Sequence, residues 1–229
     1  MIIAIISVRE GSKGIENKNI IPFCGKPLIC RTIEKTLKVK GIDQIYISSD
    51  SDIILKIAND YPIHLIKQPS QISTDESHSV EAWKYVIGYI ERQSNSNEKI
   101  DTVVTVQNTS PLCEAKDIQK GLEEFNYSGY DSLFSACEVR DMFLWNNNYG
   151  KFESTTYNYK NRKLRQNIKK QYLENGAFYI FKSEILKENN NMLGGLIGVS
   201  NMSLWKMFEI NDPEDIPVCE ALYKAFIKE

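Results

Sequence analysis

The chain has 229 residues, of which 42% are apolar and 25% charged, and its net charge is −2 at pH 7. These values predict one globular domain spanning residues 1–229. The small net charge excludes a global field that would favour nucleic acid or an anionic membrane, and no apolar stretch approaches the length of a membrane span. We therefore expect neither nucleic acid nor a membrane as a partner.

A buried strand that opens into a basic, glycine-containing loop begins the chain. Residues 2–6 are consecutive apolar residues, which predicts the strand. In the loop, Gly11 and Gly14 let the backbone approach a phosphate, and lysine and arginine neutralise its charge. Neither the P-loop spacing nor G-x-G-x-x-G is present. The other polar residues of this candidate phosphate loop are Arg9, Ser12, Lys13, Lys18 and Asn19.

Strands and helices alternate as far as residue 136. Apolar residues recur every three or four positions between short β-type runs, which predicts a mostly parallel α/β sheet with right-handed crossovers. Asp50 follows one strand and could cap the next helix or lie at a site; we favour the cap. The predicted strands are 44–48, 63–66, 102–106 and 132–136, and the apolar stripes are Ile29, Ile33 and Leu37; Ile53, Ile57 and Tyr61; Val80, Trp83, Ile87 and Ile90; and Ile118, Leu122 and Phe125.

Residues 137–172 interrupt this alternation. They are rich in Asn, Tyr, Lys and Arg and show no helical period, and they are too long for a structureless loop in a compact domain. A lid or a dimerisation arm is therefore predicted. The six basic residues of 160–170 suit a solvated face, or the binding of a carboxylate by arginine.

The C-terminal part returns to regular structure. We predict strands at 177–181, 196–199 and 206–210, and a final helix with Asp212 as its cap and Pro213 as its first residue. Carboxylates at 209–215 would then join the first loop at the carboxyl edge of the sheet, where open α/β sheets bind ligands. Cations, amides and carboxylates together suit a nucleoside triphosphate with a divalent metal.

Five cysteines are scattered without a C-x-x-C pair or zinc-site spacing. We interpret most of them as buried thiols in a reducing cytoplasm, which predicts a cytoplasmic protein. Cys24 and Cys113, near the candidate site loops, are the two that we expect to be accessible.

Five motifs in order resemble those of the CMP-sialic acid synthetases, the cytidylyltransferases that activate nonulosonic acids. The first is R-x-G-S-K-G-I followed by K-N-I, at residues 9–20. The second, beginning at Gln107, is similar to Q-P-T-S-P-L-R, with Asn108 for the proline and Cys113 for the arginine. The family directs this glutamine toward the sugar acid, although a glutamine here could equally satisfy a turn.

Of the other three motifs, one lies before Gln107 and two lie after it. In the third, residues 68–79, two positions correspond to residues near the cytosine pocket, although 73–75 is equally a helix cap. The fourth is similar to R-Q followed by Y-x-x-N-G-A-x-Y-I, at 165–180. The fifth resembles D-I-D-T-P-E-D, whose two leading aspartates hold Mg²⁺ in the family; here Glu209 and Asn211 stand in those places.

The resemblance implies a Rossmann-like α/β nucleotidyltransferase with a dimerisation insertion at 137–172. It also implies that CTP and a sialic-acid-like nonulosonic acid give a CMP-sugar and pyrophosphate, with Mg²⁺ as cofactor and a homodimer whose arms complete each other's sites. The implied roles are phosphate neutralisation for Arg9, Lys13 and Lys18; nucleotide binding for Gly11, Ser12, Asn19, Asp75 and Ser79; sugar-acid binding for Gln107, Arg165, Gln166, Asn175 and Tyr179; and metal binding for Glu209, Asn211 and Asp212.

The sequence leaves alternatives open. Legionaminic or pseudaminic acid could replace sialic acid as the substrate, with octulosonic acid ranked lower. Asn211, Cys113 and Asn108 would also fit a CTP-binding homologue with weak or no catalysis. An RNA-binding role for the basic run is a distant third, and it predicts strongly salt-dependent binding.

Overall fold

The computed structural model describes residues 1–11, 14–72, 79–93 and 99–227. Its strands are β1 (Ile2–Ser7), β2 (Pro22–Phe23), β3 (Lys26–Pro27), β4 (Gln44–Ser49), β5 (His64–Lys67), β6 (Thr102–Val106), β7 (Ser132–Val139), β8 (Trp145–Asn148), β9 (Lys151–Ser154), β10 (Gln171–Lys182) and β11 (Ile197–Met202). Its α-helices are α1 (Leu28–Leu37), α2 (Asp52–Ala58), α3 (Ser79–Gln93), α4 (Ala115–Ser128), α5 (Ser183–Asn189) and α6 (Asp215–Phe226).

One central sheet has the strand order β11-β7-β10-β6-β1-β4-β5. β5, β4, β1 and β6 are parallel neighbours, and β11 is parallel to β7. β10 runs antiparallel to both β6 and β7. The predicted α/β class with a mostly parallel sheet is confirmed. None of the helices in the described part of the chain has the length and apolar character needed to cross a membrane.

The apolar run of β1 reflects its position between two helical layers. Ala4 and Ile6 pack into the core cluster that contains residues of α1, α2 and α4. Ile3 and Ile5 pack into a second cluster on the opposite face, with Trp83 of α3. A strand covered on both faces needs apolar residues at every position, which explains why the run does not alternate.

Two predictions in the C-terminal part are wrong. Residues 206–210 do not form a strand, because Leu204–Met207 is a 3₁₀ helix. Asp212 does not cap the final helix, since α6 begins at Asp215 with Glu214 at the N-cap. The helix α5 had no counterpart in the sequence-based prediction.

The segment that interrupts the alternation is shorter than predicted. β7 continues to Val139 and β10 begins at Gln171, and these two residues pair across the antiparallel ladder. Residues 140–170 therefore form the excursion, which we call the arm. It contains the antiparallel hairpin of β8 and β9 and a contact between the rings of Phe143 and Tyr157, whose centroids are 4.4 Å apart.

Two helical glycines should respond differently to the same substitution. A methyl group added at Gly121 would lie 2.6 Å from the ring of Phe178, whereas one at Gly88 would meet only the end of the flexible Arg92 side chain, at 3.2 Å. We expect Gly121→Ala to lower the free energy of unfolding by about 1–3 kcal/mol through overpacking. Gly88→Ala should be neutral or raise it by up to about 1 kcal/mol through helix propensity. Urea unfolding measures both, and equal losses would contradict this view of the core.

Candidate active site

Asp50 connects the ends of two neighbouring strands at the carboxyl edge of the sheet. Its carboxylate accepts a hydrogen bond of 2.8 Å from the backbone N–H of Glu10, in the first loop. The N-cap of α2 is Ser51, which makes no side-chain capping bond. The predicted cap role of Asp50 is therefore wrong, and Asp50 holds the first loop against β4.

Two buried asparagines hold the same loop in place through hydrogen bonds. The amide of Asn19 donates to the carbonyl of Arg9 at 2.7 Å, and the amide of Asn108 donates to the side-chain oxygen of Asn19 at 3.0 Å. Asn19 and Asn108 are only 7% and 2% exposed. The side chain of Asn19, expected to bind nucleotide, instead makes hydrogen bonds within the protein. Asn108 stabilises Asn19, a role that the sequence did not reveal.

The first loop and the acidic segment 209–215 approach each other closely at Gly14. A side chain there would place its Cβ 2.5 Å from the backbone oxygen of Asn211 and 3.3 Å from a carboxylate oxygen of Asp212. Only glycine fits at such a distance, which explains this residue of the motif. The contact joins two motifs that lie almost 200 residues apart in the sequence.

Lys18 lies where these two segments meet. Partial burial lowers its pKa, and Arg9 lowers it further, while the charges of Glu209, Asp212 and Asp215 oppose the shift. Lys18 and Arg9 therefore form a cationic group facing the acidic segment. The cationic groups are suited to binding the phosphates of a nucleotide, and the carboxylates are suited to binding a metal cation held by those phosphates.

The acidic segment has an internal anchor. Asp215 accepts hydrogen bonds of 2.8 Å from the backbone N–H groups of Asn211 and Asp212, and these bonds lower its pKa. Glu209 accepts a hydrogen bond of 3.4 Å from the hydroxyl of Thr109. The carboxylates of Glu209 and Asp212 and the oxygens of Asn211 therefore lie on a short, fixed turn.

The second and fourth motifs meet next to Glu209. The backbone N–H of Gln107 donates to the carbonyl of Ala177 at 3.0 Å. Gly176 adopts a left-handed φ of 63°, and a Cβ there would lie 3.8 Å from Glu209. The ladder between β7 and β10 changes register at this point, so the motif forms a bulge aimed at the acidic segment.

Asn175 and Tyr179 have different positions in this bulge. Asn175 is 3% exposed, and its amide donates to the carbonyl of Lys206 at 3.0 Å, so its predicted contact with a sugar acid does not fit this geometry. Tyr179 donates its hydroxyl to Glu174 at 2.5 Å. Burial raises the pKa of Tyr179, and the carboxylates of Glu174 and Glu209 raise it further.

Several predicted site residues are not brought to this edge or lie outside the described residues. Arg165 and Gln166 are exposed on the arm, where Arg165 lies 3.6 Å from Asp141. Ser79 is exposed as the first residue of α3, whereas Gly11 is exposed within the first loop and so lies at this edge. Outside the described residues lie Ser12, Lys13 and Asp75.

Cys113 is not accessible, contrary to the sequence-based expectation. It is 3% exposed, and burial raises the pKa of its thiol to about 12. Beside it lies an ion cluster that the sequence did not indicate: the buried ammonium of Lys206 contacts the carboxylates of Glu114 and Asp117. Cys24 is half-buried.

A mostly parallel sheet of this order, with the cationic loop and acidic turn at its carboxyl edge, is an α/β nucleotidyltransferase fold. The sequence profile of the family described as Cytidylyltransferase matches residues 3–217. The chain belongs to this family.

Relatives and solved structures agree with that assignment. The chain is 30% identical over 228 residues to a pseudaminic acid cytidylyltransferase of Campylobacter jejuni, covering 97% of this chain and 96% of the relative. It is 30% identical to N-acylneuraminate cytidylyltransferase A of Danio rerio, covering 95% of this chain but only 49% of that protein. The chain thus spans about half the length of this vertebrate relative.

The fold is similar to that of a CMP:2-keto-3-deoxy-manno-octonic acid synthetase solved with CTP. The TM-score is 0.71 at 12% identity, and 98% of each chain is covered.

Proposed function

We propose that this protein transfers a cytidylyl group from CTP to a nonulosonic acid, releasing pyrophosphate. The observation that carries the proposal is the close approach of the first loop to the acidic turn at Gly14, with the charges of that turn acting on Lys18. Relatives named for pseudaminic and N-acylneuraminic acid share most of this chain's length, which supports a nonulosonic acid as the second substrate.

In the proposed reaction, the anomeric hydroxyl of the sugar acid attacks the α-phosphorus of CTP. The bond from that phosphorus to the β-phosphate oxygen breaks, pyrophosphate leaves, and the hydroxyl proton passes to water. Arg9 and Lys18, with Lys13, would neutralise charge on the phosphates. Gln107, at the end of β6, and Tyr179, at the end of the bulge, would orient the sugar acid. Catalysis of this kind depends on positioning and electrostatic stabilisation rather than on a nucleophilic side chain.

The oxygens of the acidic turn fit Mg²⁺ as a cofactor. No group of three or more His, Cys, Asp or Glu side chains in the described ranges is arranged to hold a metal ion. Mg²⁺, however, is commonly held by one or two carboxylates together with substrate phosphates. Glu209, Asp212 and the side-chain oxygen of Asn211 would hold it, and it would neutralise phosphate charge when bound.

Restoring the second aspartate should strengthen metal binding. Asn211→Asp adds a charge beside Glu209, so the Mg²⁺ concentration for half-maximal pyrophosphate release should fall by about 3–10-fold, on the scale of one extra charge contact. Glu209→Gln removes a charge and should raise it. A titration of activity with Mg²⁺ measures both variants, and a higher Mg²⁺ requirement in Asn211→Asp or a lower one in Glu209→Gln would rule out this metal position.

We also propose that the active unit is a homodimer with the arm crossing to the partner. The arm exposes large apolar side chains, and its Arg165 lies near Asp141 of the same arm, at 3.6 Å. Arg165 would then reach the sugar acid of the partner's site, where its fork can hold a carboxylate bidentately. Exposed apolar residues on the arm include Leu144, Trp145, Phe152 and Leu164.

The experiment that tests the function offers CTP and Mg²⁺ with N-acetylneuraminate, legionaminate and pseudaminate in parallel. Release of pyrophosphate with one of them identifies both reaction and substrate. CTP binding without release in any mixture would favour the CTP-binding homologue, for which the substitutions Asn211, Cys113 and Asn108 are the support.

A further inference from the structure

Lys206 makes an unusual buried ion cluster at the start of α4. The residue is 3% exposed, and its ammonium lies 2.6 Å from Glu114 and also contacts Asp117. Burial alone would lower the pKa of Lys206, but the hydrogen bonds that its ammonium donates to the two carboxylates outweigh this and raise it. A buried cation placed between two carboxylates is held in one position.

The two carboxylates define how α4 begins. Glu114 is the N-cap of α4, and it forms a reciprocal capping box with Asp117, which accepts from the backbone N–H of Glu114 at 2.8 Å. The turn at 107–112 leads directly into this cap. Because Lys206 contacts this cap, it helps to fix the position of the turn that precedes the cap.

The main chain of Lys206 reaches two further parts of the site. Its carbonyl accepts the amide of Asn175 at 3.0 Å, next to the bulge at Gly176. Three residues later in the chain comes Glu209, and the N–H of Ile210 donates to the carbonyl of Thr109 at 2.8 Å. One residue thus contacts the cap of α4 and the bulge and leads into the acidic turn.

The residue at position 113 affects the charge balance of this cluster. The motif of this turn has an arginine where this chain has Cys113, whose buried thiol is neutral. The charge of Lys35 acts on Asp117, but its ammonium donates to the carbonyl of Ser110 at 2.9 Å, so a buried cation in contact with Glu114 and Asp117 must come from elsewhere. Lys206 supplies it from a different part of the chain, beyond β11.

We propose that Lys206 is a positioning residue that fixes the turn at 107–112 against the bulge and the acidic turn, and so sets the sugar-acid side of the site. This rests on the proposed cytidylyltransferase function. The first loop makes no direct hydrogen bond with Lys206 in the described part of the chain and contacts the turn through Asn108 and Asn19, so the CTP-phosphate side should be affected less than the sugar-acid side.

The test compares three variants by steady-state pyrophosphate release at a temperature where circular dichroism shows each to be folded. Lys206→Met should lower kcat/KM for the sugar acid by about 10–100-fold, the scale of a displacement of about 1 Å, and should change KM for CTP by a clearly smaller factor. Lys116→Met is the matched control, because Lys116 contacts the same Glu114 at 2.9 Å but is exposed. It should leave both constants unchanged.

The triple variant Lys206→Met, Glu114→Gln, Asp117→Asn separates positioning from stability. Removing all three charges should restore the thermal midpoint lost in Lys206→Met, because no unpaired carboxylate stays buried, while the defect in sugar-acid kcat/KM should persist. Recovery of wild-type kinetics in the triple variant would overturn the proposal, as would unchanged kinetics in Lys206→Met.

Hydrogen exchange tests the role of Lys206 independently of the proposed function. Backbone amides of 107–112 and 175–177 should exchange faster in Lys206→Met than in Lys116→Met, whether or not the wild type releases pyrophosphate. No release by the wild type with any sugar acid would reject the proposed function alone. Unchanged exchange in both segments would reject the role of Lys206.

Discussion

Gly14→Ala should lower kcat/KM for CTP by about 100-fold, because moving reacting groups by about 1 Å has costs of that order. The added methyl group would lie 2.5 Å from the backbone oxygen of Asn211, so the first loop and the acidic turn must separate. Gly14 is exposed in a loop, and the thermal midpoint should stay close to that of the wild type. Initial rates of pyrophosphate release at subsaturating CTP measure the effect.

The matched substitution is Gly11→Ala in the same loop. A Cβ at Gly11 meets nothing within 4 Å, so this variant adds a methyl group without an internal clash. The loss of kcat/KM in Gly14→Ala should exceed that in Gly11→Ala by at least about 10-fold, since only the first separates the two segments. Equal losses would mean that the approach of Gly14 to Asn211 does not matter for the reaction.

Lys18→Met should lower kcat/KM for CTP by about 10²–10³-fold, the range found when one charge-stabilising donor is removed from an active site. Lys18 is the described cation on which the charges of Glu209, Asp212 and Asp215 all act. Lys40→Met, at an exposed position after α1, is the control for the loss of a lysine and should retain wild-type activity. Wild-type rates in Lys18→Met would remove this residue from the phosphate site.

The pH dependence gives Lys18 a second test. Burial lowers the pKa of Lys18 from the ordinary 10.5, and only the protonated form attracts phosphate. The wild-type kcat/KM for CTP should therefore fall as pH rises through that lowered pKa, earlier than for an exposed lysine. Lys18→Arg should keep its charge at higher pH and move this decline upward, whereas Lys18→Met should lack it.

The sequence predicted the main strands and helices well because their positions depend on apolar periodicity. The run 2–6 became β1, and Trp83, Ile87 and Ile118 all became buried core residues. The predicted strand 206–210 failed for a local reason. The carbonyl of Lys206 bonds to the side chain of Asn175 rather than to a neighbouring strand, and periodicity carries no information about such a bond.

The candidate site was harder to predict, because its polar residues could have more than one partner. Asp50 and Asp212 both precede helices and fit the pattern of a cap, yet Asp50 binds the N–H of Glu10 and Asp212 lies beside Gly14. Asn19 matched a motif but is used internally. Lys206 had no local signal at all, since its carboxylate partners lie about 90 residues earlier in the chain.

The most direct test of cytidylyl transfer follows the α-phosphorus. The protein is incubated with Mg²⁺, CTP labelled with ³²P at the α-position, and each of the three nonulosonic acids, and the products are separated and identified by mass. We expect the label in a CMP-sugar acid and unlabelled pyrophosphate in equal amount. Label confined to CTP, or released only as free CMP, with every sugar acid would contradict cytidylyl transfer to a nonulosonic acid.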